Sequence, residues 1–418
     1  MRTINSTLAT AQSSSTRIPY FHMVFTSQAT SATKDYSGTA SRIESITHTE
    51  SAYGGSAKII LNNSDLGVPD LRGYYVKIGY GDVTAAGNEY AATPRLWVRD
   101  QTWTSSEGLL ISTLSLIDGF THLGELPIEL GTFPEYYKLY NRDTTPYMII
   151  DAALSGAGFT LGTWGMEPSA GTYTADAGTN PTTLKDAQLT SSADDFYNGW
   201  YLFNVTRNLG TAITDYSGAT KTITHAAISG QAAGDTYKIL KSDEIVTSFK
   251  PYFEINADND SGVTMSYEDR LEVCYRAIMM TKSYLRARPG MVFDVIFPRA
   301  VDPVDAVFDT SHFYEFNQKQ NEVVPNAIYI FANYTDGSYG SMITGYAYDT
   351  EAVARNGGAE IKGLYSAPTV TTQLDADNRA AAILTRIKAE SLSVGLVIPH
   401  DCRIELYDNI QMTDTRGN

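Results

Sequence analysis

Polar and apolar positions alternate in short runs along most of the chain, and turn residues separate the runs. RIPYFHMVFTS (17–27), SAKIILNN (56–63) and YYVKIGYGD (74–82) are β-branched and aromatic stretches closed by Gly, Asn, Asp or Ser, the signature of strands. RLWVRDQTWT (95–104) and GLLISTLSLIDGF (108–120) flank SSEG and read as a hairpin. Residues 17–125 are therefore expected to form one β domain, a barrel or sandwich, after a polar, Ser/Thr-rich arm over 1–16 that is flexible or ordered by a partner. A connecting segment over 126–164 holds a short apolar helix, PYMIIDAALSGAGF (146–159), with glycines placed to cap its end. Residues 165–245 read as an inserted module. Its first part is a loop rich in Gly, Thr, Ala and Asp, and 196–240 is a series of short strands with Gly and Asn turns.

The chain then returns to longer elements. VTSFKPYFEIN (246–256) reads as strand, and 265–290 as one helix. That helix would start at a capping box of Ser266 and Asp269 and carry Leu271, Cys274, Tyr275, Ile278 and Leu285 at helical spacing. Arg286 and Arg288 would complement its dipole, and Pro289 with Gly290 would end it. A second β domain is expected over 291–358: MVFDVIFPR, SHFYEFNQ, and a hairpin of NAIYIFANYTDG with SMITGYAYD. Over 359–418 a helix, DADNRAAAILTRIKAES, shows an apolar stripe of Ala380, Ile383, Leu384 and Ile387 before closing strands over 395–414. The expected fold class is α+β and β-rich. DYSG occurs at 35–38 and again at 215–218, each followed by ITH, at 46–48 and 223–225. The spacing differs between the copies, so shared turn chemistry explains the repeat better than duplication, with the second copy between strands ending at Thr214 and resuming at Thr220.

Composition narrows the function. The 418 residues include 31 basic and 47 acidic side chains, a net charge of −16. That balance opposes adhesion to nucleic acid or anionic membranes, although nucleic acid could pass nearby without being held. Tyrosine is abundant at 28 copies against 15 Phe, which suits strands and half-wet interfaces. The two cysteines, Cys274 and Cys402, make no disulfide framework and fit a reduced assembly site. The N-terminal stretch has no apolar core of a signal peptide, and no apolar run approaches the roughly 18 residues a spanning helix needs. A soluble protein is expected.

RIPYFHMVF, SAKIILNNSD, LRGYYVKIGYGD, YMIIDAALSGAGF, KPYFEIN, YLRARPGMVFDVIFPR and RAAAILTRIKAESLSVGLVIPHDCRIELYDNIQMTD, in this order, resemble the baseplate hub (tail-tip) proteins of tailed bacteriophages. The resemblance spans most of the chain outside about 165–245. Its most specific part is an Ala/Arg/Ile helix, a Gly-x-Val-x-Pro strand and E-L-Y-D-x-I-x-x-T-D. The resemblance implies two tail-tube-like β-barrel domains per chain. A homotrimer would then offer six barrels to the hexameric tail tube. Implied partners are a tail tube or distal tail protein, a central spike or tip fibre, and the tape measure protein. Phage DNA would pass through unbound. The implied location is the virion tail tip, with assembly in the bacterial host cytoplasm. The 165–245 module departs from a minimal hub and reads as a decoration.

Catalytic and metal chemistry find little support. Asn256, Asp258 and Asp260 begin like a calcium loop, but the positions for Gly and Glu hold Ser261 and Tyr267. His400 and Cys402 lack the further pair that zinc needs. Acids such as Glu125, Glu129, Asp194 and Asp195 read as surface charge, and Cys274 as a core residue. No G-x-S-x-G, H-E-x-x-H or Walker loop occurs; GSYGSM (337–342) lacks the lysine. Neither cofactor nor metal is expected. Phe196, Tyr197, Trp200 and Tyr201, with Phe203, form the core of the small module or a contact for glycan or a partner. The expected function is structural, not enzymatic; a tail-associated cell-wall hydrolase and a receptor-binding module at 196–240 are the alternatives.

Overall fold

The structure, a computed structural model, describes residues 1–413 apart from 15, 39–41, 130–145, 163–165, 168–171, 208, 241–264, 280, 297, 299–302, 310–314, 334–341, 368–369 and 371. The fold is α+β and β-rich, as the patterning led us to expect. Nine antiparallel strands make the first sheet. Its path runs Ile43–Ser51, Gly54–Asn62, Leu109–Ile117, Leu96–Ser106, Tyr74–Val76, Pro19–Ser27, Ile78–Thr84 and Gly87–Ala92, with Thr33–Asp35 beside Pro19–Ser27. Alternate residues point inward: Met23 and Phe25, Ile59 and Leu61, Leu114 and Leu116 are all buried. Ile59 and Ile78 lie on strands second from opposite ends of this path yet share one core, so the sheet curls. The expected hairpin is present: Ser106 pairs with Leu109 across a two-residue turn, and Gly108 takes the positive φ of 74°.

The two DYSG copies differ. In the first, Asp35 ends a strand and its Oδ1 accepts from the Ser37 amide at 2.8 Å, while Gly38 has φ 112°. In the second, Asp215, Tyr216 and Ser217 belong to strand Leu209–Ser217, which runs past Thr214. Gly218 is small for a different reason: a Cβ there would meet the Ser192 carbonyl at 2.2 Å. The repeated letters thus serve a turn once and a close approach once.

The single helix expected over 265–290 is three elements. Met265–Asp269 is a strand paired with Pro127–Glu129. Asp269 caps helix Arg270–Ile278, its Oδ1 accepting from the Glu272 amide at 2.7 Å. Tyr284–Arg288 then pairs antiparallel with Val292–Ile296, so Pro289 and Gly290 (φ 113°) make a hairpin turn instead of a helix stop. Leu285, Arg286 and Arg288 are strand residues. The buried helix face is Val273, Cys274, Ala277 and Ile278, with Tyr275 outside it at 42% exposure. This face packs on helix Pro146–Ser155 and on Phe120 and Phe293 to form a central core. Gly158 takes the positive φ at the end of Pro146–Ser155. Gly156 instead leaves room for buried Arg270, whose Nη1 donates to the Ala153 carbonyl at 2.9 Å.

Seven strands between Met166 and Leu240 form a separate sheet around Tyr197, Leu202, Tyr216, Tyr237 and Ile239. The calcium-like stretch with Asn256, Asp258 and Asp260, and the GSYG part of GSYGSM, lie outside the described residues. Farther on, Ala327–Ala332 pairs antiparallel with Ile343–Tyr348, the expected hairpin, and parallel with Lys362–Ala367. Helix Gln373–Ser391 covers one face of this three-stranded sheet. Two small ribbons complete the C-terminal half. One pairs Ala306–Asp309 with Ile410–Thr413, and the other pairs Glu315–Gln320 with Leu392–Val397. Strands of the 291–358 segment therefore share sheets with strands beyond 359.

The arm over 1–16 is ordered by the chain itself. Helix Ser6–Gln12 is capped by Asn5, whose Oδ1 accepts from the Leu8 amide, and Leu8 is buried beside Ala91 and Cys402. Arg2 pairs with Glu50 at 2.6 Å and donates to the Ile404 carbonyl, and the Arg2 amide donates to the Arg403 carbonyl at 2.7 Å. Arg17 pairs with Asp82 at 3.2 Å and donates to the His400 carbonyl. Residues 401–409, expected as strand, are turns that carry this seam. Glu405, with its side chain 2% exposed, accepts from Arg288 at 2.7 Å, and Asp408 accepts from Arg286 at 3.3 Å. Among the described residues no helix is long and apolar enough to cross a membrane.

Candidate assembly surface

The three-stranded sheet shows how its sequence makes two faces. In Ala327–Ala332, the residues Ile328, Ile330 and Ala332 point toward helix Gln373–Ser391, and the register places Ile343, Gly345 and Ala347 on the same side. Gly345 lets the helix lie close, because a Cβ there would sit 2.3 Å from the Ala376 carbonyl group. The opposite side carries Tyr329, Tyr346, Tyr348 and Leu364. Tyr346 stacks on Tyr348 with ring centres 5.2 Å apart and lies 4.8 Å from the Tyr329 ring. Lys362 sits 5.0 Å above the Tyr329 ring. Both the Tyr329 and Tyr346 hydroxyls donate to Glu360, at 2.7 and 2.6 Å. These hydrogen bonds lift both phenols above their ordinary range and hold the Glu360 carboxyl below its own.

This face is open. Leu364 is 63% exposed and Tyr348 49%. Among the described residues, eleven of the twenty-one exposed large apolar side chains lie between Val304 and Val397, so the C-terminal half concentrates uncovered apolar surface. Sequence reasoning did not single out this face. Its signal was the apolar character of both alternating sets in AIYIFA and ITGYAY, which one buried face cannot explain.

Of the aromatic residues singled out by sequence, the fold brings Phe196, Tyr197 and Trp200 together, with ring centres 4.9 to 5.7 Å apart. Tyr197 is fully buried, with its ring 4.6 Å from that of Tyr216. Trp200 packs against the module core. Tyr201 covers Gly210, where a Cβ would meet its ring at 2.4 Å. Phe196 alone of the four is well exposed, at 48%, beside Asp195 and Asn198, which bond to each other. Asp194 accepts from the Gly218 amide at 2.8 Å. Glu125 pairs with Arg99.

Burial pushes the Cys274 thiol up to about 12 and the Cys402 thiol up to about 11. The His400 ring lies 4.5 Å from Tyr80, which also stacks on His48. Burial lowers both imidazoles, His48 to about 4, with Arg2 adding to the shift. A cavity of about 640 Å³ lies between Tyr284, Tyr407, Arg286, Glu390 and Asp408, lined by both signs of charge and by neither Cys nor His.

No family model and no curated protein matches the chain. Three solved structures are similar over 94% of its length. They are the tail protein from Neisseria meningitidis MC58 (11% identity, 86% of that chain, TM-score 0.49), the 43 kDa tail protein of prophage MuSo2 from Shewanella oneidensis (11%, 89%, 0.49), and the prophage tail protein gp18 from Listeria monocytogenes EGD-e (7%, 84%, 0.47).

Proposed function

We propose that this chain is a structural subunit of a phage tail. In this reading it is the hub at the tube tip, and it works as a homotrimer between the hexameric tail tube and the central spike or tip fibre. The observation that carries a structural, assembling role is the concentration of uncovered apolar side chains in the C-terminal half. The placement at the tail tip rests on the sequence resemblance. Closed rings of identical copies are the usual way to bury such surface. In this reading the β blocks over 17–125 and 291–358 contribute to the ring. The 165–245 module decorates its exterior, and part of the acidic surplus faces the DNA channel, where a repulsive wall lets a polyanion slide.

Mass measurement by light scattering, with imaging of the particles, tests the proposal. Three copies in a ring are expected. A monomer that persists at high concentration would remove the proposal. Deleting 165–245 behind a short Gly/Ser linker should leave soluble protein that still assembles; loss of all soluble protein would show that the module belongs to the core.

A further inference from the structure

We infer that His225 is an acid-sensitive latch on the small module: the neutral ring ties three loops together, and a proton on it releases them. His225 is the only histidine between Met166 and Leu240. It ends strand Thr222–His225, at a rim where strands of the module give way to loops. Three loops meet there, 175–182, 205–207 and 226–235. The latch lies within one chain and does not depend on the assembly proposed above.

The hydrogen bonds around the ring have one direction each. A carbonyl can only accept, so the Ala226 carbonyl, 2.7 Å from Nδ1, fixes the ring proton on Nδ1. The Asn180 carbonyl, 2.8 Å from Gln231 Nε2, likewise identifies that atom as the amide nitrogen. The same nitrogen lies 3.0 Å from His225 Nε2, which therefore offers its bare lone pair. Farther along, Asn204 donates to Gln231 Oε1 at 3.4 Å and to Asp235 at 2.9 Å, and Arg207 donates to Asp235 at 2.9 Å. His225, Gln231, Asn204 and Asp235 are each at most 4% exposed, so bulk water does not stand in for a lost partner.

A proton on Nε2 turns that lone pair into a second donor, facing the Gln231 N–H. Turning the amide over does not help, because its oxygen would then face the Asn180 carbonyl. The charged ring therefore breaks the link to Gln231, and through Gln231 the ties to 175–182 and to Asn204. No neighbouring charge offsets this. Burial lowers the imidazole's pKa, and its hydrogen bond to Ala226 recovers only part. Asp235 is the acid of the network, and Arg207 already holds its carboxyl below the usual range. Other charges on the surrounding elements are engaged elsewhere: Asp186 accepts from Tyr237, Asp176 from the Ala187 amide, and Lys221 donates to the Leu189 carbonyl. Lys185 and Asp215 are exposed, and Lys238 is half-buried. An opened rim takes up the proton at the ordinary value of 6.5, before the closed one does. The latch thus holds above about pH 6.5 and weakens below it.

Hydrogen exchange on the full chain at about pH 7 and about pH 5 tests the latch. After correction for intrinsic rates, amides of 175–183 and 226–235 should lose about 10-fold protection in acid, while the core strands of the module keep theirs. Equal protection of these loops at both values would overturn the inference. His225→Leu cannot take up the proton, so its loops should show the same protection at both values, whatever the substitution costs at pH 7. If they loosen in acid as much as those of wild type, another group titrates and the latch is refuted. A reading that needs no variant comes from nitrogen NMR of the labelled histidines. At pH 7 the His225 proton should sit on Nδ1, and a proton on Nε2 would overturn the hydrogen-bond directions on which the latch stands.

Discussion

Acid should weaken the seam between the first sheet and residues 401–409, and His48 gives the effect a size. The imidazole is buried on strand Ile43–Ser51, with its side chain 10% exposed, stacked on Tyr80 and crowded by Arg2 and His400. Its pKa falls from 6.5 to about 4, mainly through burial. On acidification the unfolded chain therefore takes up the proton first. The stabilising contribution of neutral His48 is complete above about pH 6.5 and is lost progressively down to about pH 4. At about 1.4 kcal/mol per unit the full loss is about 3 kcal/mol, and about 2 kcal/mol of it falls between pH 7 and pH 5. Glu50 has the opposite sign, because burial raises its carboxyl and acid relieves that strain. The informative quantity is thus a difference of differences: urea unfolding of wild type and His48→Gln, each at about pH 7 and pH 5. The variant should lose about 2 kcal/mol less than wild type over that interval. Equal losses, within about 0.5 kcal/mol, would refute the assignment of a neutral, buried His48.

Other expectations concern packing. Arg386, buried, donates to the Ile278 and Thr281 carbonyls at 3.0 and 3.1 Å and to that of Ser283, so it closes the end of helix Arg270–Ile278. Arg386→Met should cost about 3 kcal/mol in thermal or urea unfolding, with Arg386→Lys recovering only part; a neutral Arg386→Met would exclude that role. Gly345→Ala should cost about 2 kcal/mol, because the Ala376 backbone cannot yield, and an unchanged melting temperature would place the helix farther from the sheet. Cys274 and Cys402, both buried, should resist thiol reagents in native protein and react once urea is added; rapid native labelling would contradict their burial.

Legibility from sequence followed the range of the interactions. The first sheet was readable because strands such as Pro19–Ser27 and Gly54–Asn62 bury alternate residues, and the turn at Gly108 announced its own hairpin. Helix Gln373–Ser391 was readable from its stripe. Residues 265–290 were misjudged because Leu285 falls at helical spacing by coincidence and Arg286 resembles a cation at a helix end, while their pairing with Val295 and Asp294 is invisible to periodicity. The capping box was misplaced by one turn: Ser266 lies in a strand, and Asp269, expected inside the helix, is itself the N-cap. The anchoring of Arg2 could not be foreseen, since its partners Glu405 and Ile404 lie at the far end of the chain. The tyrosine face is a product of register: Tyr329, Tyr346 and Leu364 share a side only once three strands are aligned. The aromatic run at 196–201 shows the converse, since adjacency in sequence sent Tyr197 into the core and left Phe196 outside.

The seam joining Arg2 and Arg17 to residues 400–408 also sets an order of events during synthesis. The first sheet draws its strands from residues 19–117 and can close while the rest of the chain is still being made. Arg2 and helix Ser6–Gln12 can meet Glu50, Asp82 and Glu89 early, but their contacts with Cys402, Ile404 and Glu405 form only after those residues have been made. Docking of Arg2 and Arg17 onto residues 400–408 therefore marks translation through that segment. A truncated chain can build the first sheet but cannot shut the seam, and a chain that has shut it has been translated through Asp408.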